Sequence, residues 1–354
     1  MVWFFCVFYV FWFVGDLMPT RISRREFLRL ASIGLIGSAT RLNPTDDFEK
    51  PIFYGRALFV YVTVYSRPSV FGRTVRLIDY QAIAPIYAKT QSRESGTQNR
   101  TWYQTSDGYI HSSNVQPVQD QPNRPIAVSA PHPGQVTIPF VDAYAQPQLS
   151  SNVLYRLYYS SIHWIQRLVR DSSGQAWYEL WDDRINSSYY APARALRLIP
   201  ASEFAPIAPD IADKRIEIDT TAETLTALEN GRPVYRARVS SGGKFRGPGG
   251  TVKDFRTPLG NYVIDRKRPS RHMAAGDGAA DDAYDLPGVP WVCYFNGGIA
   301  IHGTYWHNDY GRPWSHGCIN VAPLDARWLY RWTLPSAPVD QPLVTGPGTP
   351  VVVV

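Results

Sequence analysis

Three of the chain's seven histidines and one of its three cysteines fall within twenty consecutive positions, "IHGTYWHNDYGRPWSHGCIN" at 301–320. A cysteine that attacks a carbonyl needs a thiolate, a base or cationic partner, and donors for the oxyanion that forms. Cys318 offers the thiol. Gly317 removes the preceding side chain, so the backbone can bend sharply and the N–H groups of Gly317 and Cys318 can face a substrate oxygen. His302 is the candidate base and ion-pair partner, because an imidazolium beside a thiol draws its pKa from about 8.5 to roughly 3.5–7.5. Spacing alone leaves open whether the two meet. A zinc site from His302, His307, His316 and Cys318 uses legitimate ligands, but no Cys-x-x-Cys or His-x-x-x-His pattern supports a closed tetrahedral cage, and no metal or other cofactor is expected. Cys293, between Val292 and Tyr294, reads as a buried small hydrophobe.

The elements around this cluster read as strands. Ile299 and Ile301 alternate with Ala300 and His302, so His302 sits on the face opposite the isoleucines. Asn296-Gly297-Gly298 turns this strand back from 289–295, and "RIEIDTTAETLTALENGRPVYRARVSSG" is a hairpin around Asn230-Gly231. A Gly-rich polar stretch follows at 241–253, then a turn and strand, "TPLGNYVI", at 257–264. Residues 265–287 are polar with several Gly and Asp and read as a surface loop or flap. "PLDARWLYRW" at 323–332 suits a helix with Pro at its start that buries Leu324, Trp328 and Trp332. "TPVVVV" closes the chain as a strand.

"HG", a loop, then "SHGCIN" resembles the signature of the L,D-transpeptidase (YkuD-type) catalytic domain, and "TPLGNYVI" resembles that family's Thr-Pro-x-Gly strand. The resemblance spans 211–354. It implies a mainly β catalytic domain with a short helix, in which Cys318 attacks the bond between the third residue of a peptidoglycan stem tetrapeptide and its terminal D-Ala. D-Ala leaves, and an amine of a neighbouring stem resolves the acyl-enzyme to a 3→3 cross-link. By the same resemblance His302 is the base and the Gly303 carbonyl orients its ring, in a position where some members carry Ser. Ser315, His316, Gly317 and Asn320 shape the nucleophile turn and the cleft. Tyr305, Trp306 and Trp314 are expected at the substrate, although the two tryptophans read equally as packing. Hydrolysis by the same acyl-enzyme, as an L,D-carboxypeptidase, and a catalytically inactive wall-binding protein are the alternatives.

Ahead of this domain, 52–118 and 139–200 read as short strands that close on similar text, Trp102-Tyr103 and Trp177-Tyr178, each followed by a polar turn and a strand. Each resembles the SH3-like small β-barrels of wall-associated proteins. Their aromatics read as barrel core, as ligand-binding surface, or as both. Proline-rich text near 116–125 and 200–209 marks linkers. At the start, "SRREFLRLASIGLIGSAT" at 23–40 resembles a twin-arginine export signal: Arg24 and Arg25 are the pair, 28–36 the apolar run, and Gly37-Ser38-Ala39 the cleavage site. Residues 1–40 are therefore expected to be a leader, and the twin-arginine machinery a partner, with the protein exported to the cell envelope. The apolar run 2–14 reads either as part of a mis-assigned extension, 1–17, or as a membrane anchor.

The bulk figures fit this organisation. Length 354 with 44% hydrophobic residues suffices for two or three cores. A net charge of +6 favours anionic polymers such as a wall matrix, while no Lys/Arg cluster interleaved with aromatics points to nucleic acid.

Overall fold

The computed structural model describes residues 50–246, 251–275 and 284–354, so the expected leader (1–40) and extension (1–17) lie outside the described residues. The chain is mainly β, with one α-helix, Pro323–Trp332, among the described residues. No helix among them is long and apolar enough to cross a membrane.

Period-two patterning builds the first β unit. In Tyr61–Tyr65 the side chains of Val62 and Val64 are buried while Tyr61 is exposed. This strand belongs to a five-stranded sheet ordered Thr74–Asp79, Tyr61–Tyr65, Tyr109–His111, Thr101–Gln104, Ala88–Gln91. It packs with a three-stranded sheet ordered Ile83–Ile86, Phe53–Ala57, Val115–Val118, around Val62, Val64, Ile78, Ile86 and Ile110.

The second unit is a seven-stranded sheet in which Ala176–Asp182 pairs with Ser187–Pro192 and with Ile162–Arg170. It also takes in His132–Val136, ahead of the expected start at 139. Pro133 and Gly134 hide that strand from pattern reading. Both units close in the same order: a Trp-Tyr strand, its partner, a 3-10 turn (Ser112–Asn114; Ala193–Ala195) and a last strand (Val115–Val118; Leu196–Leu198). Trp102 and Trp177 are wholly buried, which makes them core rather than ligand-facing surface.

The C-terminal unit stacks two five-stranded sheets. One is ordered Arg232–Arg238, Thr224–Glu229, Lys214–Asp219, Pro350–Val353, Gly260–Val263, and the other Ile319–Val321, Ile299–Gly303, Tyr284–Asn296, Arg266–Ala275, Val344–Thr345. Asn230 and Gly231 both take positive φ, as a two-residue hairpin between Thr224–Glu229 and Arg232–Arg238 requires. Ile216, Leu225, Trp291, Ile301, Ile319, Leu329 and Trp332 meet between the sheets and the helix. Each such aliphatic side chain contributes about 1.5–3 kcal/mol by leaving water. Ile162, Ile199 and Phe204 join the same core, so the linker after the second unit is packed rather than free.

Two expectations are corrected. The helix buries Ala326, Leu329, Tyr330 and Trp332, whereas Leu324 is 70% exposed. At 100° per residue, Leu324 points away from the stripe set by 326, 329 and 330. Within the stretch expected as a loop or flap, 265–287, Arg266–Ala275 is a ten-residue strand paired with Tyr284–Asn296, while 276–283 lie outside the described residues. Its polar side chains are used against the second unit and the helix. Ser270 Oγ donates to the Ile162 carbonyl, Arg268 and Arg271 pair with Asp183, and Lys267 Nζ donates to carbonyls at the helix C-terminus.

Candidate active site

The site is built on a parallel strand pair. Ile301 faces Ile319, His302 faces Asn320 and Gly303 faces Val321. Ile301, Ile319 and Val321 point into the main core, which sends the alternate positions, 300, 302, 318 and 320, to the other face. There Cys318 and Trp306 pack against Ala300, Val292 and Tyr294. Cys318 and His302 thus share a face, on a diagonal across the strand pair. Among the described residues no hydrogen bond joins them: Cys318 Sγ is 3.8 Å from the Gly298 carbonyl oxygen.

His302 is buried, and its Nδ1 lies 3.2 Å from the Gly303 carbonyl oxygen. A carbonyl only accepts, so Nδ1 carries the hydrogen and the Nε2 lone pair is left for a proton. Gly303 is a close-approach position. A Cβ there would lie 3.0 Å from Pro290 Cγ and 3.2 Å from Pro323 Cα, so a larger residue would need these neighbours to give by a few tenths of an ångström. Gly317 has φ +116°, a region that L side chains avoid.

Burial pushes the Cys318 thiol up to about 11, against a weaker opposing hydrogen bond from the Ala300 backbone. Burial also pushes His302 down to about 4, with its bond to Gly303 acting the other way. Both groups are therefore neutral at pH 7. The expected resting thiolate–imidazolium pair is not what this environment favours, because desolvation penalises both charges and no hydrogen bond links them.

The nucleophile turn is internally tied. Ser315 Oγ donates to the Cys318 carbonyl at 2.5 Å, and the Gly317 N–H donates to Ser315 Oγ at 3.1 Å. The Gly317 N–H, expected at the oxyanion, is thus engaged by the turn itself. The His316 ring stacks on Phe245 with centroids 5.0 Å apart and lies near Phe255 and Tyr284. Asn320 Nδ2 donates to His307 Nε2 at 2.8 Å, and burial pushes His307 down to about 3. Trp306 lies 5.8 Å from His302 by ring centroid, and Trp314 lies 5.8 Å from His307. Tyr305, expected at the substrate, is buried, and its hydroxyl donates to the Pro287 carbonyl at 2.8 Å, so it serves packing. Among the described residues no three His, Cys, Asp or Glu side chains converge as metal ligands.

Three further residues support the turn. Thr257 Oγ1 accepts the Gly242 N–H and donates to the Gly317 carbonyl, each at 2.9 Å. Glu223 is buried; its carboxylate accepts the Ser241 N–H at 2.7 Å and the Ser241 hydroxyl, and burial raises its pKa against those bonds. The Ser241 carbonyl in turn accepts the N–H groups of Trp314 and Ser315. Thr257 was legible as the first residue of "TPLGNYVI"; nothing in the local text marks Glu223, whose role depends on a contact 18 residues away.

Residues 213–353 match the family model YkuD, the L,D-transpeptidase catalytic domain. A comparison with curated proteins gave no match. Among solved structures, the chain is similar to an L,D-transpeptidase from Xylanimonas cellulosilytica DSM 15894, at 24% identity over 46% of this chain and 72% of that one, TM-score 0.29. It is similar to the Enterococcus faecium L,D-transpeptidase at 24% identity over 41% of this chain, spanning 51% of that one, TM-score 0.30. The L,D-transpeptidase from Mycobacterium smegmatis is similar at 19% identity over 55% and 89% of the two chains, TM-score 0.32.

Proposed function

We propose that this protein is an exported peptidoglycan L,D-transpeptidase with Cys318 as nucleophile and His302 as base. The observation that carries the reading is the placement of a thiol and an Nδ1-anchored imidazole on one sheet face beside the Gly317 turn, inside the residues that match the family model. His302 Nε2 takes the thiol proton as sulfur attacks the carbonyl of the third stem residue. The imidazolium then protonates the departing D-Ala amine, leaving a thioester. A neighbouring stem's amine attacks the thioester, gives its proton to His302, and the thiol returns with the 3→3 cross-link made. Because both groups rest neutral, the thiolate forms during attack rather than before it, so the base contributes to the chemical step itself. Donor and acceptor stem peptides are the partners, and the twin-arginine machinery delivers the chain to the envelope.

The test is mass spectrometry of products from a defined tetrapeptide donor, with and without an acceptor amine, alongside intact-mass detection of acylation by a carbapenem-like agent. The reading expects loss of D-Ala and a cross-linked product with wild type and neither with Cys318→Ala. Turnover retained in that variant would overturn it.

A further inference from the structure

Arg56, in the first β unit, is 2% exposed and has no carboxylate partner among the described residues. Burying a guanidinium this way is costly unless its surroundings replace water. Here they come from three parts of the chain. Gln116 Oε1, in the first unit, accepts from Nε and Nη2 at 3.0 and 2.8 Å. The Tyr158 ring, in the second unit, lies 4.3 Å from the guanidinium carbon. The Tyr305 carbonyl, in the C-terminal unit, accepts from Nη2 at 2.7 Å. Gln116 Nε2 also donates to the Tyr159 carbonyl at 3.0 Å, which closes the junction.

What Arg56 holds leads directly to the site. Tyr305 stacks on Tyr158 at 5.6 Å and meets Trp306 edge-on at 5.0 Å. Trp306 faces His302 and packs in the cluster that contains Cys318. Three residues after Tyr305, Asn308 Nδ2 donates to the Ser112 and Val115 carbonyls of the first unit at 3.1 and 3.2 Å. The segment that follows the base is thereby fixed at two points to a unit more than 180 residues earlier in the chain.

We propose that Arg56 is a positioning residue for the thiol–imidazole site, making catalysis depend on the docked amino-terminal units rather than on the C-terminal unit alone. The proposal rests on the transpeptidase reading. In it, the amino-terminal units are part of the catalytic body and not merely a tether, and Arg56 acts through the Tyr305 backbone and the Trp306 ring.

The experiment uses the full chain with Arg56→Met, Arg56→Lys and, as a control in the same unit, Arg76→Ala, which breaks an exposed pair with Asp107. Acylation by a carbapenem-like agent is timed by intact mass, and iodoacetamide labelling of Cys318 and Cys293 by peptide mapping. Arg56→Met should slow acylation about tenfold or more, as small misplacements of catalytic groups do. It should also speed labelling of Cys318 as Trp306 loosens, while Cys293, buried in the main core, stays protected. Arg56→Lys should fall between, and Arg76→Ala should match wild type. Acylation and Cys318 labelling within twofold of wild type, with Cys293 protected, would overturn the proposal. If Arg56→Met exposes Cys293, Gln116→Leu repeats the test by releasing the guanidinium without deleting it, judged by the same criteria. A wild type that no carbapenem acylates would fail the transpeptidase reading instead, and Cys318 labelling alone would then decide the role of Arg56.

Discussion

Cys318 and His302 lie diagonally across one face of a parallel strand pair, with His302 directly opposite Asn320 and the thiol one step beyond the paired residues. The arrangement puts the two on one face of the sheet without a hydrogen bond between them. Their chemistry is then set by burial, which favours the neutral form of each.

Thiol reactivity should therefore rise late in pH. The thiolate is the reactive form, and burial raises the Cys318 pKa to about 11. Labelling of Cys318 by iodoacetamide should still be climbing steeply at about pH 10, where an ordinary thiol of pKa about 8.5 is already levelling off. A plateau at or below pH 7 would mean that a stable ion pair with His302 exists after all.

Removing the base should cost most at neutral pH. His302, with a pKa of about 4, is unprotonated and able to accept throughout the range from 5 upward. His302→Ala should slow acylation on the order of 10²-fold at pH 7, the usual scale of general-base loss. The deficit should shrink as pH rises and thiolate forms unaided. An unchanged rate at pH 7 would assign the proton transfer to another group.

The local grammar of the site was legible because it is short-range: the alternation around His302, the Gly317 turn before Cys318 and the Asn230-Gly231 hairpin each follow from a few neighbouring residues. What failed needed distant partners. The strand Arg266–Ala275 looks like a loop because its inward groups are Arg, Lys, Ser and His, and distant partners make them strand-compatible: Asp182, Asp183 and the Ile162 carbonyl of the second unit, and the carbonyls at the helix C-terminus around Lys267. Leu324 was misplaced because the helix faces its core through Ala326 and Tyr330, and composition alone ranks leucine above both. The resting charge state of Cys318 was likewise invisible, since it depends on how much protein surrounds the sulfur.

Thr257 should matter through the backbone it ties. Thr257→Val keeps the shape but leaves the Gly242 N–H and Gly317 carbonyl unpaired in a buried place, at a cost of about 1–3 kcal/mol. Denaturant midpoints should fall accordingly, and acylation of Cys318 should slow by roughly tenfold, as a displaced nucleophile allows. Thr257→Ser should restore both, because the hydroxyl alone makes the two bonds. Equal behaviour of the Val and Ser variants would remove Thr257 from the support of the turn.

The junction between the second unit and Arg266–Ala275 should weaken in alkali. His272 Nδ1 meets Asp182 at 2.8 Å and Nε2 meets Asp285, with Arg184 3.7 Å from Asp285 and the Tyr155 ring edge-on at 5.5 Å. Burial alone would lower the His272 pKa, but the hydrogen bonds and charges of the two aspartates outweigh it and raise the value to about 9. Below the ordinary value near 6.5 folded and unfolded chains both hold the proton, and the contribution is complete. Between 6.5 and 9 the unfolded chain releases the proton first, so stability declines, and above 9 the contribution is gone. The rise in pKa sets a ceiling of about 3 kcal/mol, and the 40% exposure of Asp285 reduces the expected figure to about 1–2 kcal/mol. Denaturant midpoints of wild type and His272→Gln, measured from pH 6 to 9.5, should therefore converge as pH rises. A gap between the two that stays constant over that range would show that His272 holds the junction by shape and not by charge.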